Sequence, residues 1–359
     1  MSLFNPLDEL GLKNRCVMAP MTRYFFDEGG CPTELVAEYY IRRAQKGVGL
    51  IIVESAAVNQ TDAKGYINGC EFHNNKHVLK WQPIIKRIHQ TGAKIWIQLF
   101  HAGRLTSEEI TQKKPLAPSA IPPGNSPSFW RPLLDDEIVN FQTRRPYCVP
   151  KEVTRLEIGR ILNEFSTAVK LAAQAGFDGV EIHGAHGYLI HQFCSKLSNK
   201  RKDEFGLNGS YKFAIDLVRA CKGQLNENMY MSYRLSYHMV DNTLIRFNKS
   251  DQYLEKLIPL LSNYVDVFHC SQINANQSLF GADEPLHQLV RNLTSKVIIA
   301  CGGIRSSREA NNILKDDERM LVAFGRNFIS NPDLIEHFKN GSESEIVDFN
   351  YADHMNILY

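Results

Sequence analysis

Eight short apolar runs alternate along the chain with longer segments that carry apolar residues at helical spacing. The runs are Cys16–Ala19, Val48–Val53, Lys94–Leu99, Gly179–Ile182, Met229–Leu235, Val265–His269, Val297–Ala300 and Met320–Phe324. Most are rich in Val, Ile or Leu and do not alternate apolar with polar residues, which is typical of strands buried on both faces. The pattern therefore predicts an α/β fold in which eight parallel strands close into a (β/α)8 TIM barrel.

The segments between these runs carry the start and stop signals of helices. Thr154 precedes Glu157 by three positions, which predicts a capping box, and Gly176 ends the apolar periodicity that follows. Other start signals are Thr33, Pro83, Ser210, Pro285, Ser307 and the run Asn331-Pro332-Asp333. Other stop signals are Gly47, Gly92 and Gly223. Pro259 is expected to end or kink the helix predicted over Ser250–Asn263.

One segment interrupts this rhythm after the third strand. Residues 115–150 contain eight of the fifteen prolines and too little apolar periodicity for a core of their own. Connections this long usually carry function, so the segment is predicted to form a lid or hairpin over the barrel mouth. We expect one domain over residues 1–359, with 101–153 as an excursion within it and the residues after Gly341 wrapping back onto the barrel.

Composition and charge exclude several classes of function. The 359 residues are 43% apolar and 22% charged, and 41 Lys and Arg against 39 Asp and Glu leave a net charge of +2. This balance does not favour binding to nucleic acid or to a membrane surface through bulk charge. We see neither an apolar run that could span a bilayer nor a signal peptide, so a cytoplasmic location is expected. The eight cysteines form no C-x-x-C motif and are expected to be reduced thiols.

In barrels of this class the chemistry lies on the loops that follow the strands. Gly302-Gly303 follows the seventh predicted strand, and Gly325-Arg326 follows the eighth. Glycines let main-chain N–H groups approach an anion, and arginine adds a planar, permanently charged donor. These residues are candidates for a phosphate site, with tight β/α turns as the alternative interpretation.

The loop after the fourth strand contains His183, His186 and Tyr188. Three interpretations remain open: a metal pair, structural histidines, or two N–H donors that hold a carbonyl oxygen beside a phenolic acid. Arg234 lies within a strand, where an unpaired charge is costly, so it is expected to face an anion or polar ring, or a neighbouring carboxylate. Thr22 and Gln98 are weaker signals that also suit buried polar groups.

Five segments taken together are specific to one family. They closely resemble the old yellow enzyme family of FMN-dependent ene reductases, including the N-ethylmaleimide reductase type, in family order from about Leu3 to Leu334. The segments are Asn14–Arg23, Ile97–Leu99, Gly176–His183, Asn199–Gly206 and Phe324–Arg326. The resemblance implies a (β/α)8 barrel that reduces activated C=C bonds of α,β-unsaturated carbonyl or nitro compounds.

The resemblance also implies a cofactor and a reductant, namely non-covalent FMN and NADPH or NADH. Thr22 is assigned to the flavin O4 edge, Ser55 and Gln98 to the pyrimidine side, and Arg234 to the N1/O2 edge. The full set assigned to FMN is Ala19, Pro20, Met21, Thr22, Ser55, Gln98, Arg234, Gly302, Gly303, Gly325 and Arg326.

The substrate residues implied by the resemblance are His183 and His186, which bind the carbonyl oxygen, and Tyr188, which supplies the proton. His186 stands where many relatives have Asn, and Phe100 stands where Trp is common. The stretch Leu207–Lys212 departs from the family pattern, and 122–150 resembles nothing transferable. A small electrophilic alkene is the expected partner, and the sequence leaves the physiological substrate, the reductant preference and the choice between monomer and homo-oligomer open.

Two other functions stay open from the residues alone. A flavin-free barrel lyase would also use the phosphate site, although no Schiff-base lysine or metal-ligand set stands at a strand end. A non-catalytic flavin-binding sensor would have no need of the proton donor Tyr188.

Overall fold

The computed structural model describes residues 2–124, 147–207, 210–242, 245, 247–248, 252–315 and 317–350. Eight parallel strands pair in chain order, and the last pairs back with the first to close a barrel. The strands are β1 (Cys16–Met18), β2 (Leu50–Ala57), β3 (Lys94–Phe100), β4 (Gly179–His183), β5 (Tyr230–Leu235), β6 (Val267–Ser271), β7 (Val297–Cys301) and β8 (Met320–Phe324). The predicted TIM barrel is confirmed, since each of the eight apolar runs overlaps one of these strands.

Helices surround the barrel and follow the predicted segments. They are α1 (Glu34–Gln45), α2 (Asn75–His89), α3 (Glu108–Thr111), α4 (Arg155–Ala175), α5 (Leu189–Cys194), α6 (Lys212–Lys222), α7 (Tyr253–Leu261), α8 (Leu286–Arg291), α9 (Ser307–Leu314), α10 (Arg326–Ser330) and α11 (Leu334–Asn340). The capping box of α4 is confirmed, because Thr154 accepts from the Glu157 N–H while the Glu157 carboxylate accepts from the Thr154 N–H. Gly176 ends this helix with a φ of 93°.

The predicted helix start at Pro83 is wrong. Helix α2 begins eight residues earlier, where Asn74 caps it by accepting from the N–H groups of Lys76 and His77. Pro83 lies in the helix interior and removes one main-chain hydrogen bond. The helix persists because an apolar face that includes the fully buried Trp81 packs against the barrel, and such burial outweighs the loss of one bond.

The predicted helix start at Asn331 is also wrong, because α11 begins at Leu334 with Asp333 as its N-cap. The Asn331 amide instead donates to the main-chain oxygens of Asn327 and Val347, and its own oxygen accepts from the Val347 N–H at 2.8 Å. These bonds hold the segment after Gly341 against the barrel, as predicted. Pro259 lies two residues before the end of α7, in agreement with its predicted role as a helix-ending residue.

The excursion after β3 is described only at its base. Two short strands, Leu116–Ala117 and Lys151–Glu152, pair with each other in parallel. The strands of a simple hairpin run antiparallel, so the hairpin prediction is wrong for this base, and a lid formed by 125–146 lies outside the described residues. A buried salt bridge anchors the base, since Arg104 Nη2 lies 2.8 Å from Asp241 Oδ2 of the loop after β5.

The barrel interior changes character along its axis. Near the amino ends of the strands it is apolar, with Val17, Ile52, Trp96 and Val267 among the buried side chains. Toward the carboxyl ends the interior positions are polar and still almost fully buried: Gln98, Glu181, Ser232, Arg234, His269 and Ser271. Burying polar groups is costly unless they find partners, so this polar layer marks the end of the barrel where a site is built.

Candidate active site

Glycines shape the mouth of the barrel after β7. Gly302 has a φ of 136°, and a Cβ atom there would lie only 1.9 Å from the Gln272 carbonyl oxygen. Gly303 has a φ of 61°, in the left-handed region that other residues rarely adopt. A residue with a Cβ atom does not fit at Gly302. The main-chain N–H groups here are therefore not covered by a side chain, as close approach to a phosphate requires.

The loop after β8 completes this corner of the mouth. A Cβ atom on Gly325 would lie 3.1 Å from the Met21 sulfur, so the loops after β1 and β8 touch. Arg326 is half-buried, and among the described residues its guanidinium has neither a hydrogen bond nor an ion pair. The structure thus brings Gly302, Gly303 and a permanently charged donor to one edge of the barrel.

The loop after β1 begins at Ala19, whose N–H donates to the Phe324 carbonyl of β8 at 2.9 Å. This bond holds the residues that follow, Pro20 to Thr22, at the barrel rim. Thr22 is half-buried, and its hydroxyl makes no hydrogen bond with the part of the chain that the structure describes. It is therefore available to a ligand in the mouth.

Ser55 and Gln98 form a hydrogen-bonded pair across β2 and β3. The register between these strands shifts between Val53 and Ala56, and such a bulge redirects a side chain. Ser55 Oγ consequently donates to Gln98 Oε1 at 2.5 Å. The Gln98 amide nitrogen donates to Glu181 Oε1 at 2.8 Å, so both ends of the amide are fixed.

Arg234 lies in the polar layer and is only 6% exposed. Its Nη2 donates to Ser271 Oγ at 3.3 Å and lies 3.9 Å from the Cys301 sulfur. Its Nε is buried without a hydrogen-bond partner, and none of the ion pairs found among the described residues involves it. This arrangement favours the sequence interpretation in which Arg234 faces an anion or polar ring over the one in which it pairs with a carboxylate.

His183 and His186 lie side by side, with ring centroids 5.2 Å apart. Burial, together with the positive charge of Arg234, holds the pKa of each imidazole well below its usual range, so both are neutral at pH 7. His186 adopts a φ of 60°, and its N–H donates to Ser236 Oγ at 2.8 Å. His186 Nε2 lies 2.9 Å from Ser271 Oγ. Within the described chain no three His, Cys, Asp or Glu side chains converge as metal ligands.

Tyr188 lies against His183, with ring centroids 4.9 Å apart, and edge-on to Phe100 at 4.8 Å. Its hydroxyl makes a short hydrogen bond with the Tyr66 hydroxyl. Burial raises the pKa of Tyr188, while Tyr66 and Arg234 lower it, and the net shift is upward. Tyr188 therefore carries its proton at pH 7 and can donate it.

The structure adds residues to the site that the sequence did not single out for a role. Tyr66 reaches Tyr188 from a loop between β2 and α2, where no motif marks it. Ser271 bridges Arg234 and His186, and Glu181 and His269 form a buried pair beside Gln98. A histidine in a buried strand is the one signal that could have drawn attention to this pair.

Comparison with known proteins places the chain in a family. Residues 2–345 match the model of the NADH:flavin oxidoreductase / NADH oxidase family. Putative 12-oxophytodienoate reductase 2 from Oryza sativa subsp. japonica is 30% identical over 339 residues, which are 93% of this chain and 85% of that protein. NADH oxidase from Thermoanaerobacter brockii is also 30% identical, over 95% of this chain, but the chain spans only 50% of its length.

Solved structures give the same result. The old yellow enzyme homologue from Zymomonas mobilis superposes with a TM-score of 0.84 at 26% identity, covering 99% of both chains. Morphinone reductase in complex with tetrahydroNAD superposes with a TM-score of 0.81 at 26% identity, covering 99% of this chain and 97% of that one.

The fold and the site define an FMN-dependent oxidoreductase with NADH or NADPH as reductant. The chain belongs to the NADH:flavin oxidoreductase / NADH oxidase family, and its structural neighbours confirm the resemblance to old yellow enzyme. The residues present fit the cofactor: the buried, unpartnered Arg234 Nε needs an acceptor, and bare glycine main chain with Arg326 suits a phosphate. No helix in the described ranges is long and apolar enough to cross a membrane.

Proposed function

We propose that the chain reduces the activated C=C bond of α,β-unsaturated carbonyl or nitro compounds, as a single catalytic domain acting on small molecules. The observation that carries this proposal is the convergence of two buried neutral imidazoles and a buried phenol beside Arg234. Such a set can bind an oxygen that gains negative charge and can deliver a proton next to it.

FMN would be held by Thr22 and the main chain of Ala19, Pro20 and Met21, by the Ser55–Gln98 pair and Arg234, and at its phosphate by Gly302, Gly303, Gly325 and Arg326. The cofactor supplies a hydride to the β-carbon of the alkene when it is bound. Binding of the substrate oxygen and delivery of the proton fall to His183 at the end of β4 and to His186 and Tyr188 on the loop that follows, and their roles follow from their protonation states.

His183 and His186 bind the carbonyl or nitro oxygen. Each neutral imidazole has one N–H to donate, and burial in a site of low dielectric strengthens such bonds as charge develops on the oxygen. When Ser271, which accepts from Arg234, donates its own proton to His186 Nε2, the N–H of His186 is left on Nδ1. His186 can then present that N–H to the substrate oxygen.

Tyr188 donates the proton that the α-carbon needs. Its hydroxyl is protonated at pH 7, and Tyr188 follows the two histidines at the carboxyl end of β4. The Tyr66 hydroxyl, hydrogen-bonded to it, stabilises the phenolate that remains after the proton has left.

Spectroscopy of the purified protein tests the proposal. We expect a yellow protein whose colour is bleached by NADPH or NADH and restored by an enone, a maleimide or a nitroalkene. Heat or acid should release FMN. A protein that is bleached but not reoxidised by any of these alkenes contradicts the proposal, and release of FAD contradicts the assigned cofactor site.

Thr22→Ala is expected to make the flavin midpoint potential more negative without changing FMN content. A hydroxyl that donates to the flavin O4 edge stabilises the electron-rich reduced ring by roughly 1 kcal/mol, so its loss disfavours reduction about fivefold. Reduction by NADPH should slow, while reoxidation by the alkene stays unchanged or becomes faster. Thr22→Ser keeps the hydroxyl and is the matched control, and an unchanged potential in Thr22→Ala counts against the assignment.

Tyr66→Phe is expected to slow the alkene half-reaction by roughly 5- to 30-fold, the scale of a lost hydrogen bond of about 1–2 kcal/mol to a group that becomes charged. The ring is kept, so its stacking on Phe100, at a centroid distance of 6.0 Å, should persist. Stopped-flow measurement of both half-reactions checks this. Slowing of flavin reduction to the same extent would show that Tyr66 shapes the pocket and does not support Tyr188.

A further inference from the structure

A buried carboxylate–imidazole pair inside the barrel has no role in the steps described above. Glu181 of β4 and His269 of β6 are fully buried, and Glu181 Oε2 lies 2.8 Å from His269 Nδ1. The same carboxylate accepts from Ser232 Oγ at 3.0 Å and from Gln98 Nε2 at 2.8 Å. Apolar residues of similar volume stabilise a barrel interior as well as a buried ion pair does, so stability alone does not account for this network.

The first consequence of the pair is the orientation of Gln98. An ionised carboxylate can only accept, so it compels the amide to turn its NH2 group toward Glu181. The amide oxygen then faces Ser55, which donates to it at 2.5 Å. One N–H and one lone pair of the amide remain for a ligand above this layer, with their directions already set.

The second consequence is a positive charge. Burial lowers the pKa of His269, but the charge of Glu181 and its hydrogen bond raise it further, and the net shift is upward. Arg234 pairs directly with His269 in the register of β5 and β6, so the two side chains face the same interior. Arg234 also acts on the imidazole and lowers its pKa, whereas Cys301 raises that pKa through a hydrogen bond. A protonated His269 offsets the carboxylate of Glu181, so the charge of Arg234 remains as a net +1 at this level of the barrel.

We propose that Glu181 and His269 are positioning residues that set the reduction potential of FMN. Glu181 fixes the Gln98 amide, and a protonated His269 offsets the negative charge that Glu181 brings, so that Arg234 acts at its full charge and favours the reduced, more negatively charged flavin. This inference rests on the proposed placement of FMN at the mouth, above Gln98 and Arg234.

His269→Gln tests the charge. The glutamine can still donate to Glu181, but the net charge of the layer falls by one. At a fixed potential the ratio of reduced to oxidised FMN is expected to fall at least about tenfold, because a unit charge acts here at an effective dielectric near 20. A tenfold change corresponds to about 30 mV for this two-electron couple, toward more negative values. Equilibration with a reference dye measures it without any alkene.

The double variant Glu181→Gln/His269→Gln distinguishes an effect of charge on the flavin potential from an effect of altered side-chain packing. It removes both charges, so the layer regains the net +1 of the wild type, and the two amides can still hydrogen-bond. The potential is expected to return to within about threefold of the wild-type ratio. A double variant whose potential is shifted as far as that of His269→Gln, or further, overturns the role given to the charge.

The remaining outcomes also decide the question. His77→Gln, which removes a buried histidine of α2 outside the barrel, is the matched control and should leave the potential unchanged. If His269→Gln fails to bind FMN, the pair serves cofactor retention and the proposal is wrong. Wild-type protein that takes up FMN but reduces no alkene overturns the proposed function alone, whereas an unshifted potential in His269→Gln overturns this inference alone.

Discussion

Tyr188→Phe is expected to lower alkene turnover about 10²- to 10⁴-fold, the usual contribution of a positioned general acid. The substitution keeps the ring in contact with His183 and Phe100 and deletes only the hydroxyl. FMN content and the rate of reduction by NADPH should stay near normal, because no proton from Tyr188 is needed in that half-reaction. Stopped-flow measurement of the two half-reactions separates these effects.

The choice of substrate sharpens this test. A nitroalkene forms a carbanion stable enough to take its proton from water. Its turnover should therefore fall less in Tyr188→Phe than the turnover of a simple enone. Tyr264→Phe is a suitable control. Tyr264 lies just before β6, at the opposite end of the barrel, and its hydroxyl accepts a hydrogen bond from Arg219. Equal slowing of both half-reactions, or full activity on simple enones, would remove Tyr188 from the proposed mechanism.

Arg326→Ala is expected to weaken FMN binding by about 1.5–3 kcal/mol, the scale of a charge-assisted hydrogen bond. This corresponds to a dissociation constant raised about 10- to 150-fold. The guanidinium has no hydrogen bond or ion pair with the described residues, so its removal breaks neither kind of bond there and the fold should be unaffected. Fluorescence titration of the apoprotein with FMN measures the change.

Arg326→Lys tests how much of the predicted phosphate binding depends on charge alone. Lysine keeps the charge but lacks the planar fork of donors, so its FMN affinity should lie between those of wild type and Arg326→Ala. Riboflavin, which lacks the phosphate, should bind all three proteins equally. A loss of riboflavin affinity in Arg326→Ala would show that the residue shapes the ring site and does not bind the phosphate.

The barrel could be predicted because its strands are buried on both faces. Runs such as Ile51–Val53 and Val297–Ala300 must be continuously apolar, and this pattern is visible without any knowledge of pairing. Helix ends were predicted where side chain and main chain interact locally, as in the capping box of Thr154 and Glu157. The prediction at Pro83 failed because burial of the Trp81 face, a tertiary effect, keeps a helix intact around a proline.

The sequence by itself determined the fold class, and the family motifs determined the cofactor. It also placed His183, His186 and Tyr188 together, since they lie within six residues of one loop. Only the tertiary structure decided which groups act on them. Tyr66 meets Tyr188 across 122 positions, and His269 meets Glu181 across 88. The physical reason is that barrel closure and strand register create these contacts, and no local spacing encodes either.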